Sequence, residues 1–206
     1  MSQIIANSMQ KTQKIVGKIN SLRMMIFYVL FFFILVIVIF FLSEPYRVGN
    51  VLKKMDLYKE YLIIQSPLNS EDMKTKKLSD FYVASSFRSC LAKNQRFDYV
   101  STKILESVIE SGARFIWLDV FNEGLEVDTT PIVSNGVNKG NWKYTLNSVT
   151  FEECIETIAA TAFNPGMINN YGDPLILALN LNVQNNIITL NKIRNILIKH
   201  LKSKLL

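Results

Sequence analysis

Hydrophobic residues form one unbroken stretch near the start of the chain. Residues 24–42 read MMIFYVLFFFILVIVIFFL, without a charged residue, glycine, proline or asparagine. At about 1.5 Å rise per residue, this stretch forms roughly 28 Å of helix, close to the ~30 Å hydrocarbon core of a bilayer. A core helix of a soluble protein is rarely apolar around its whole circumference. The pattern therefore predicts a single transmembrane helix at 24–42, preceded by a basic tail at 1–23.

The residues that flank this stretch leave the orientation of the anchor open. The basic residues before it are Lys11, Lys14, Lys18 and Arg23, and those soon after it are Arg47, Lys53, Lys54 and Lys59. Because orientation follows the side with more Lys and Arg, these flanks do not decide which side holds the rest of the chain. Residues 43–46 contain no cleavage site of small residues, so the pattern favours a retained anchor over a removed signal peptide.

Beyond residue 78, short apolar runs alternate with amphipathic ones. Strands are predicted at 81–86, 114–121, 131–134 and 174–181, and helices at 101–111, 151–163 and 187–204. Thr150 and Glu153 form a capping-box pattern at the start of the second helix. This order predicts an α/β domain with parallel strand pairing at 78–206. Residues 43–77 are predicted to be a connector, with a short amphipathic helix at 51–64 and a polar loop at 65–77.

Charge and composition exclude several classes of function. The net charge is +6, of which the basic tail supplies +4, so too little positive charge remains for a nucleic-acid interface. The two cysteines, Cys90 and Cys154, are too few for a disulfide framework, although a single bridge stays open. We find no phosphate-binding glycine loop, HExxH motif, paired CxxC motif or nucleophile elbow.

Four segments of the α/β region are similar to sequence motifs of one enzyme family. They are LSDFYVASSFRSC at 78–90, GARFIWLD at 112–119, PIVSNG at 131–136 and DPLILALN at 173–180. In this order and spacing they resemble the X region of phosphatidylinositol-specific phospholipase C. The resemblance implies a PLC-like phosphodiesterase fold, here a partial TIM-barrel-like domain that contains about half of the barrel.

The chain departs from this family at the positions that carry its chemistry. The family cleaves a phosphodiester with two histidines as general base and general acid, assisted by Ca²⁺. The two histidine positions are Phe87 and Asn135, the metal-binding Asn position is Arg88, and two Glu positions are Trp117 and Asn180. Asp119 alone is unchanged, and His200, the only histidine, lies in the last predicted helix. The resemblance therefore implies that proton transfer and the calcium site are both lost, so we expect no catalytic residue, metal or cofactor.

The remaining polar groups suggest two roles for the degenerate site. The Arg88 guanidinium could replace the calcium charge and form a two-point ion pair with Asp119, as a purely structural contact. Alternatively, a ligand-binding set could hold a phosphate or inositol headgroup without cleaving it. That hypothetical set comprises Arg88, Trp117, Asp119 and Asn180, lined also by Asn135. We favour the structural role.

The sequence as a whole predicts a single-pass membrane protein with a catalytically inactive PLC X-like domain that serves as a structural or interaction module. The alternatives are a phosphoinositide headgroup-binding module and, less favoured, an active phosphoric diester hydrolase. Half a barrel leaves its first and fourth strands with open edges. We therefore also expect a protein partner, a second copy or the connector to cover them, and we expect no nucleic-acid partner.

Overall fold

The computed structural model describes residues 2–61, 75–93, 95–124, 130–137 and 142–205. It divides into two compact units, one up to Tyr46 and one over Arg47–Leu206. The first helix, α1, spans Ser2–Tyr61. Most of the predicted polar loop, at 65–74, and the end of the predicted connector helix, at 62–64, lie outside the described residues.

The apolar stretch of the first unit lies within α1. In the part of the chain that the structure describes, Gly17–Leu57 is the one helical stretch that is long and apolar enough to cross a membrane. Every side chain from Met24 to Leu42 is exposed, so none of them belongs to a protein core. The structure thus confirms a long apolar helix where the sequence predicts one.

The described residues of the second unit form a five-stranded sheet, a small hairpin and three α-helices after α1. The strands are β1 (Ser85–Ser86), β2 (Phe115–Asn122), β3 (Pro131–Val133), β4 (Gly136–Val137), β5 (Trp142–Lys143), β6 (Val149–Thr150) and β7 (Ile176–Asn182). The helices are α2 (Thr102–Glu110), α3 (Phe151–Thr161) and α4 (Ile187–Leu201), with short 3-10 helices at Leu78–Asp80 and Lys202–Lys204.

Strand β2 is the centre of the sheet. Strand β7 pairs with it in parallel over Phe115–Phe121, which occupies one edge of β2. On the other edge, β1 pairs in parallel near the start of β2 and β3 pairs antiparallel near its end. Strand β6 continues the sheet beyond β3.

The predicted parallel pairing is confirmed for β1–β2 and β2–β7 but is wrong for β2–β3, which is antiparallel. Eight residues, 123–130, connect β2 to β3. A crossover between parallel strands needs a dozen or more residues, whereas an antiparallel return needs only a few. The short connection therefore reverses the chain direction.

The core lies between the sheet and α3. The buried side chains of α3 include Phe151, Ile155 and Ile158, which belong to one cluster with Ile116 and Leu118 of β2. The predicted capping box is confirmed. The Thr150 hydroxyl oxygen accepts a hydrogen bond from the Glu153 backbone N–H, and the Glu153 carboxylate accepts one from the Thr150 N–H.

The last turns of α1 contribute a second, smaller core cluster. Val48 is buried together with Ala92, Tyr99 and Ile104, and Val51, Leu52 and Met55 pack against this group. Part of the segment predicted as a connector therefore belongs to the packing of the second unit.

Element lengths differ from the prediction mainly at the ends. The strand predicted at 81–86 is reduced to Ser85–Ser86, and Tyr82 is fully exposed. Helix α4 ends at Leu201, followed by the 3-10 turn, and α3 ends at Thr161 rather than at 163. The predicted helix at 101–111 is confirmed as α2, with the Ser101 hydroxyl oxygen accepting a hydrogen bond from the Lys103 N–H as its N-cap.

Candidate functional site

The predicted site residues lie on or directly after three neighbouring strands, β1, β2 and β7. Phe87 and Arg88 follow β1, while Trp117 and Asp119 belong to β2. On β7, Asn180 is the direct register partner of Asp119. Because β1 and β7 both pair in parallel with β2, the register of the sheet brings these side chains together.

Asp119 is the centre of this cluster. It is 2% exposed, and Arg88 donates from Nε to its Oδ2 at 2.9 Å. Its Oδ1 accepts hydrogen bonds from Trp117 Nε1 at 2.8 Å and from Asn180 Nδ2 at 2.9 Å. Both carboxylate oxygens are therefore engaged by donors, and one of these donors carries a full positive charge.

The ion pair between Arg88 and Asp119 is present, but not in the two-point geometry that the sequence suggested. The structure gives a single hydrogen bond, from Nε to one carboxylate oxygen, among the residues it describes. Because Trp117 and Asn180 already donate to Oδ1, that oxygen is not free for a second guanidinium contact. The expected pairing is corrected to a one-point contact.

The backbone of Arg88 adopts a left-handed conformation, with φ of 53°. This conformation costs a non-glycine residue roughly 1 kcal/mol, and asparagine tolerates it better than most residues. Asparagine is the residue expected at this position from the resemblance. Hydrogen bonds from Ser89 N–H to the Trp117 carbonyl and from Leu91 N–H to the Arg88 carbonyl hold the loop. The loop therefore has a backbone suited to asparagine while carrying an arginine side chain.

Phe87 covers the ion pair from outside. Its ring centroid lies 5.5 Å from that of Trp117, and the Arg88 Cζ lies 4.9 Å from the Phe87 centroid. This is cation–π distance. Phe87 is nevertheless 60% exposed, so an aromatic face remains open to the surroundings at the first family histidine position.

Asn135, at the second family histidine position, is buried. It is 1% exposed, and its Nδ2 donates to the Gln95 carbonyl. Its Oδ1 has no hydrogen-bond partner among the described residues. A buried acceptor without a partner costs about 1–3 kcal/mol, unless a water molecule supplies the hydrogen bond.

Arg88, Trp117, Asp119 and Asn135 line one common cavity of about 10 Å³. That volume holds about one water molecule. The sequence did not single out six further lining residues: Cys90, Leu91, Val100, Leu118, Val133 and Ser134. Four of these residues lie within the motif segments quoted above: Cys90, Leu118, Val133 and Ser134. Their position next to predicted site residues in the sequence could have indicated that they line the site. For Leu91 and Val100, which meet through an isolated backbone bridge, the sequence carries no such signal.

The only histidine lies outside this cluster. The Nε2 of His200, on α4, is 3.0 Å from Glu152 Oε1, on α3. Lys199 donates to the same carboxylate oxygen at 2.6 Å. The pKa of Glu152 is lowered, most strongly by the hydrogen bond from Lys199 and next by that from His200. His200 therefore belongs to a contact between two helices.

A larger cavity of the second unit, about 640 Å³, is separate from these residues. Its charged lining residues are Arg47, Lys53, Lys54, Lys93 and Asp98. Arg47 donates to the Phe97 carbonyl at 2.9 Å and lies 3.7 Å from Asp98. With four cations and one acid, this groove is a basic surface.

Comparisons with known proteins agree with the motif segments. Two similar solved structures are PLC21 of S. officinalis and PLC21 of L. pealei, each 18% identical with a TM-score of 0.48. The matches cover 61% and 62% of this chain but 14% of each solved chain, so this chain corresponds to a small part of those proteins. No curated protein matches the chain. The family model for the phosphatidylinositol-specific phospholipase C X domain matches residues 74–206, well over half of the sequence, and the chain therefore belongs to that family.

Proposed function

We propose that this chain is a membrane-anchored, catalytically inactive X domain that serves as an interaction module. The observation that carries this proposal is the state of Asp119, whose two oxygens accept from Arg88, Trp117 and Asn180 beside a cavity of about 10 Å³. The family's one retained acidic group is thus engaged inside the protein.

Proton transfer has no carrier at the family positions. General acid–base catalysis needs a titratable group within hydrogen-bond reach of the reacting oxygens. A phenyl ring at Phe87 and a carboxamide at Asn135 cannot exchange a proton near neutral pH. His200, the chain's only histidine, instead contacts Glu152.

The groups around Asp119 do not fit a calcium ion either. Ca²⁺ takes six to eight oxygen ligands at about 2.3–2.6 Å. Both Asp119 oxygens already accept hydrogen bonds, Asn180 presents its amide nitrogen to the site, and the Arg88 cation would repel the ion. We therefore propose that the domain functions without this metal.

Headgroup binding at this site is the less supported alternative. Pockets that hold small organic ligands usually enclose about 300–1,000 Å³. The cavity beside Arg88 and Asp119 has about 10 Å³, which leaves no space for an inositol phosphate. An interaction role therefore agrees better with the geometry.

Two observations support the membrane anchor. All side chains of Met24–Leu42 are exposed, as is expected of a helix whose surroundings are lipid. The basic groove begins at Arg47, five residues after Leu42, so the chain holds this arginine within roughly 18 Å of the end of the apolar stretch. Basic residues this close to a span are attracted to anionic headgroups.

The open edge of β7 supports the interaction role. No described residue pairs with the edge of β7 that faces away from β2. Proteins usually protect an edge strand with charged residues or proline. The seven residues of β7, ILALNLN, contain neither. We propose that the sheet is an incomplete barrel and that a second copy, held in the same membrane, pairs with this edge. Twofold dimers are the commonest assemblies.

The backbone directions along β7 follow from one hydrogen bond. The Ile176 N–H donates to the Arg114 carbonyl, next to β2. In a parallel pair, successive residues direct their backbone groups to opposite sides. The N–H groups of Leu177, Leu179 and Leu181 therefore point to the open edge, and Leu181 also has an exposed side chain.

Leu181→Pro tests the proposed pairing, because it removes an outward N–H without removing a bond to β2. We expect the full chain in mild detergent to be a dimer by light scattering and Leu181→Pro to be monomeric. Leu181→Ala, which keeps the N–H, is the matched control and should remain dimeric. Should the proline perturb the fold, Leu181→Lys serves instead, because it places an edge-protecting charge and keeps the backbone.

A monomeric wild-type chain would refute pairing with a second copy. So would a Leu181→Pro variant that stays as dimeric as Leu181→Ala. Circular dichroism must show that each variant keeps the helix content of the wild type.

A further inference from the structure

The two cysteines of the chain meet in the core of the domain. Cys90 lies in the loop after β1, and Cys154 lies on α3, 64 positions later. Both are buried, at 2% and 0% exposure, and their Sγ atoms are 3.7 Å apart. The only two thiols of the chain are therefore in direct contact inside the core.

We propose that Cys90 and Cys154 form a disulfide, a covalent modification site that links the loop of the degenerate site to α3. The Sγ atoms need to approach from 3.7 Å to the bond length of about 2.05 Å. A movement of this size is within reach of side-chain rotation. Neither thiol has another role in the site chemistry, and no described cluster of three His, Cys, Asp or Glu residues makes them metal ligands.

The oxidant is a disulfide, either glutathione disulfide or the disulfide of a thiol oxidoreductase. The Cys90 thiolate attacks one sulfur of this disulfide, which forms a mixed disulfide and releases one thiolate. The Cys154 thiolate then attacks the Cys90 sulfur, which forms the internal bond and releases the second thiolate. Two cysteine thiols lose two electrons and two protons, and the oxidant becomes two thiols.

The order of attack follows from the surroundings of the two thiols. The pKa of Cys154 is raised, mainly by the contact with Cys90 and secondly by burial, so Cys154 stays protonated in the closed core. Cys90 lies in a loop, whereas Cys154 lies within a helix, and we therefore assign the first attack to Cys90. Formation of the mixed disulfide then removes the contact that holds the proton on Cys154.

The bond would restrain the part of the domain that holds the ion pair. Cys90 is two residues after Arg88 and lines the same small cavity. Closing a loop of 64 residues removes unfolded-state entropy, which for a domain of this size raises Tm by roughly 10 °C. Because such bonds persist in oxidising compartments, the state of the pair in the native membrane also reports the side on which the domain lies.

The experiment uses the full chain in detergent with glutathione disulfide, just below the unfolding midpoint so that the buried thiols are transiently exposed. After quenching and denaturation, free thiols are counted with a maleimide mass tag. We expect two tags before oxidation and none after it, a Cys90–Cys154 linked peptide in the digest, and a Tm about 10 °C higher than that of the reduced chain.

Cys154→Ala is the matched control. Its free energy of unfolding should not respond to the glutathione ratio, and no linked peptide should form. If this variant fails to fold, the peptide map of the wild-type chain still decides. The proposal is overturned by two free thiols after oxidation, by linkage only between chains, or by an oxidised form with a lower Tm.

Discussion

At the scale of single residues, the Asp119 carboxylate is held by one side-chain cation and two neutral hydrogen-bond donors. Arg88 supplies a positive charge at 2.9 Å from Asp119, the one family position that is unchanged. Trp117 and Asn180, which stand at two glutamate positions, donate hydrogen bonds where carboxylates would bring negative charge. The substitutions are therefore mutually consistent, because each of the three reduces the need of Asp119 for a cation from solution.

Arg88→Ala should destabilise the second unit by about 2 kcal/mol, because it leaves the buried Asp119 carboxylate without its counter-charge. Chemical denaturation followed by tryptophan fluorescence measures the change, since Trp117 donates a hydrogen bond to Asp119 and packs against Phe87.

Arg96→Ala is the control for loss of an arginine. The Arg96 guanidinium lies 5.0 Å from the centroid of Tyr144 in an exposed position, so its removal should cost only about 0.5 kcal/mol. Equal losses for the two variants would show that the buried carboxylate does not need Arg88.

At the scale of elements, α3 connects most parts of the second unit. Its N-terminus is capped by Thr150, its buried face covers β2, and Cys154 reaches the site loop. Its exposed face holds α4 through Glu152, which contacts Lys199 and His200. This helix was well predicted from sequence, because the capping box and the 3.6-residue apolar period are local signals.

The contact between α3 and α4 should depend on pH. The pKa of Glu152 is lowered from 4.5, mainly by the hydrogen bond from Lys199, so the fold favours the ionised carboxylate. The stabilisation is therefore present above pH 4.5 and is lost as the pH falls through the lower folded pKa. Glu152→Gln should lower Tm slightly at pH 6, and the difference from wild type should shrink as the pH falls below 4.5.

Scanning calorimetry from pH 3 to 7 measures this difference. Because the pair is exposed, 1 M salt should reduce the difference at pH 6 as well. A Tm difference that stays constant over the whole pH range would mean that Glu152 acts through packing and not through its charge.

Strand directions show where element-level prediction fails. The apolar runs that become β2 and β7 were located to within two residues, but the parallel pairing expected from the element order is wrong for β3. Strand direction depends on the connection between strands. The eight residues between β2 and β3 allow only a return in the opposite direction.

At the scale of the whole molecule, the proposed inactivity predicts a negative result with a clear control. The full chain, reconstituted into vesicles that contain phosphatidylinositol, should release no headgroup above the protein-free rate in millimolar Ca²⁺. The physical reasons are the absence of a proton carrier at Phe87 and Asn135 and the small cavity beside Asp119.

An active phospholipase C of the same family, added to identical vesicles, establishes that the substrate is accessible. Release of headgroup that requires Ca²⁺ and disappears in Asp119→Asn would contradict the proposal, because it would assign a working metal site to the chain.

Local sequence was sufficient for the apolar helix, for helices α2 to α4 and for the family. These predictions depend on hydrophobic periodicity, capping residues and sequence motifs, which are properties of residues close together in the chain. The motifs also named Arg88, Asp119 and Asn180 as site residues. Arg88 follows β1, whereas Asp119 and Asn180 lie within β2 and β7. Folding was needed for the one-point ion pair, the small cavity and the contact of Cys90 with Cys154. It also buries the Asn135 Oδ1, which has no hydrogen-bond partner among the described residues. Each of these depends on distances between segments far apart in the chain, which pairing register and side-chain packing set only once the sheet and α3 have come together.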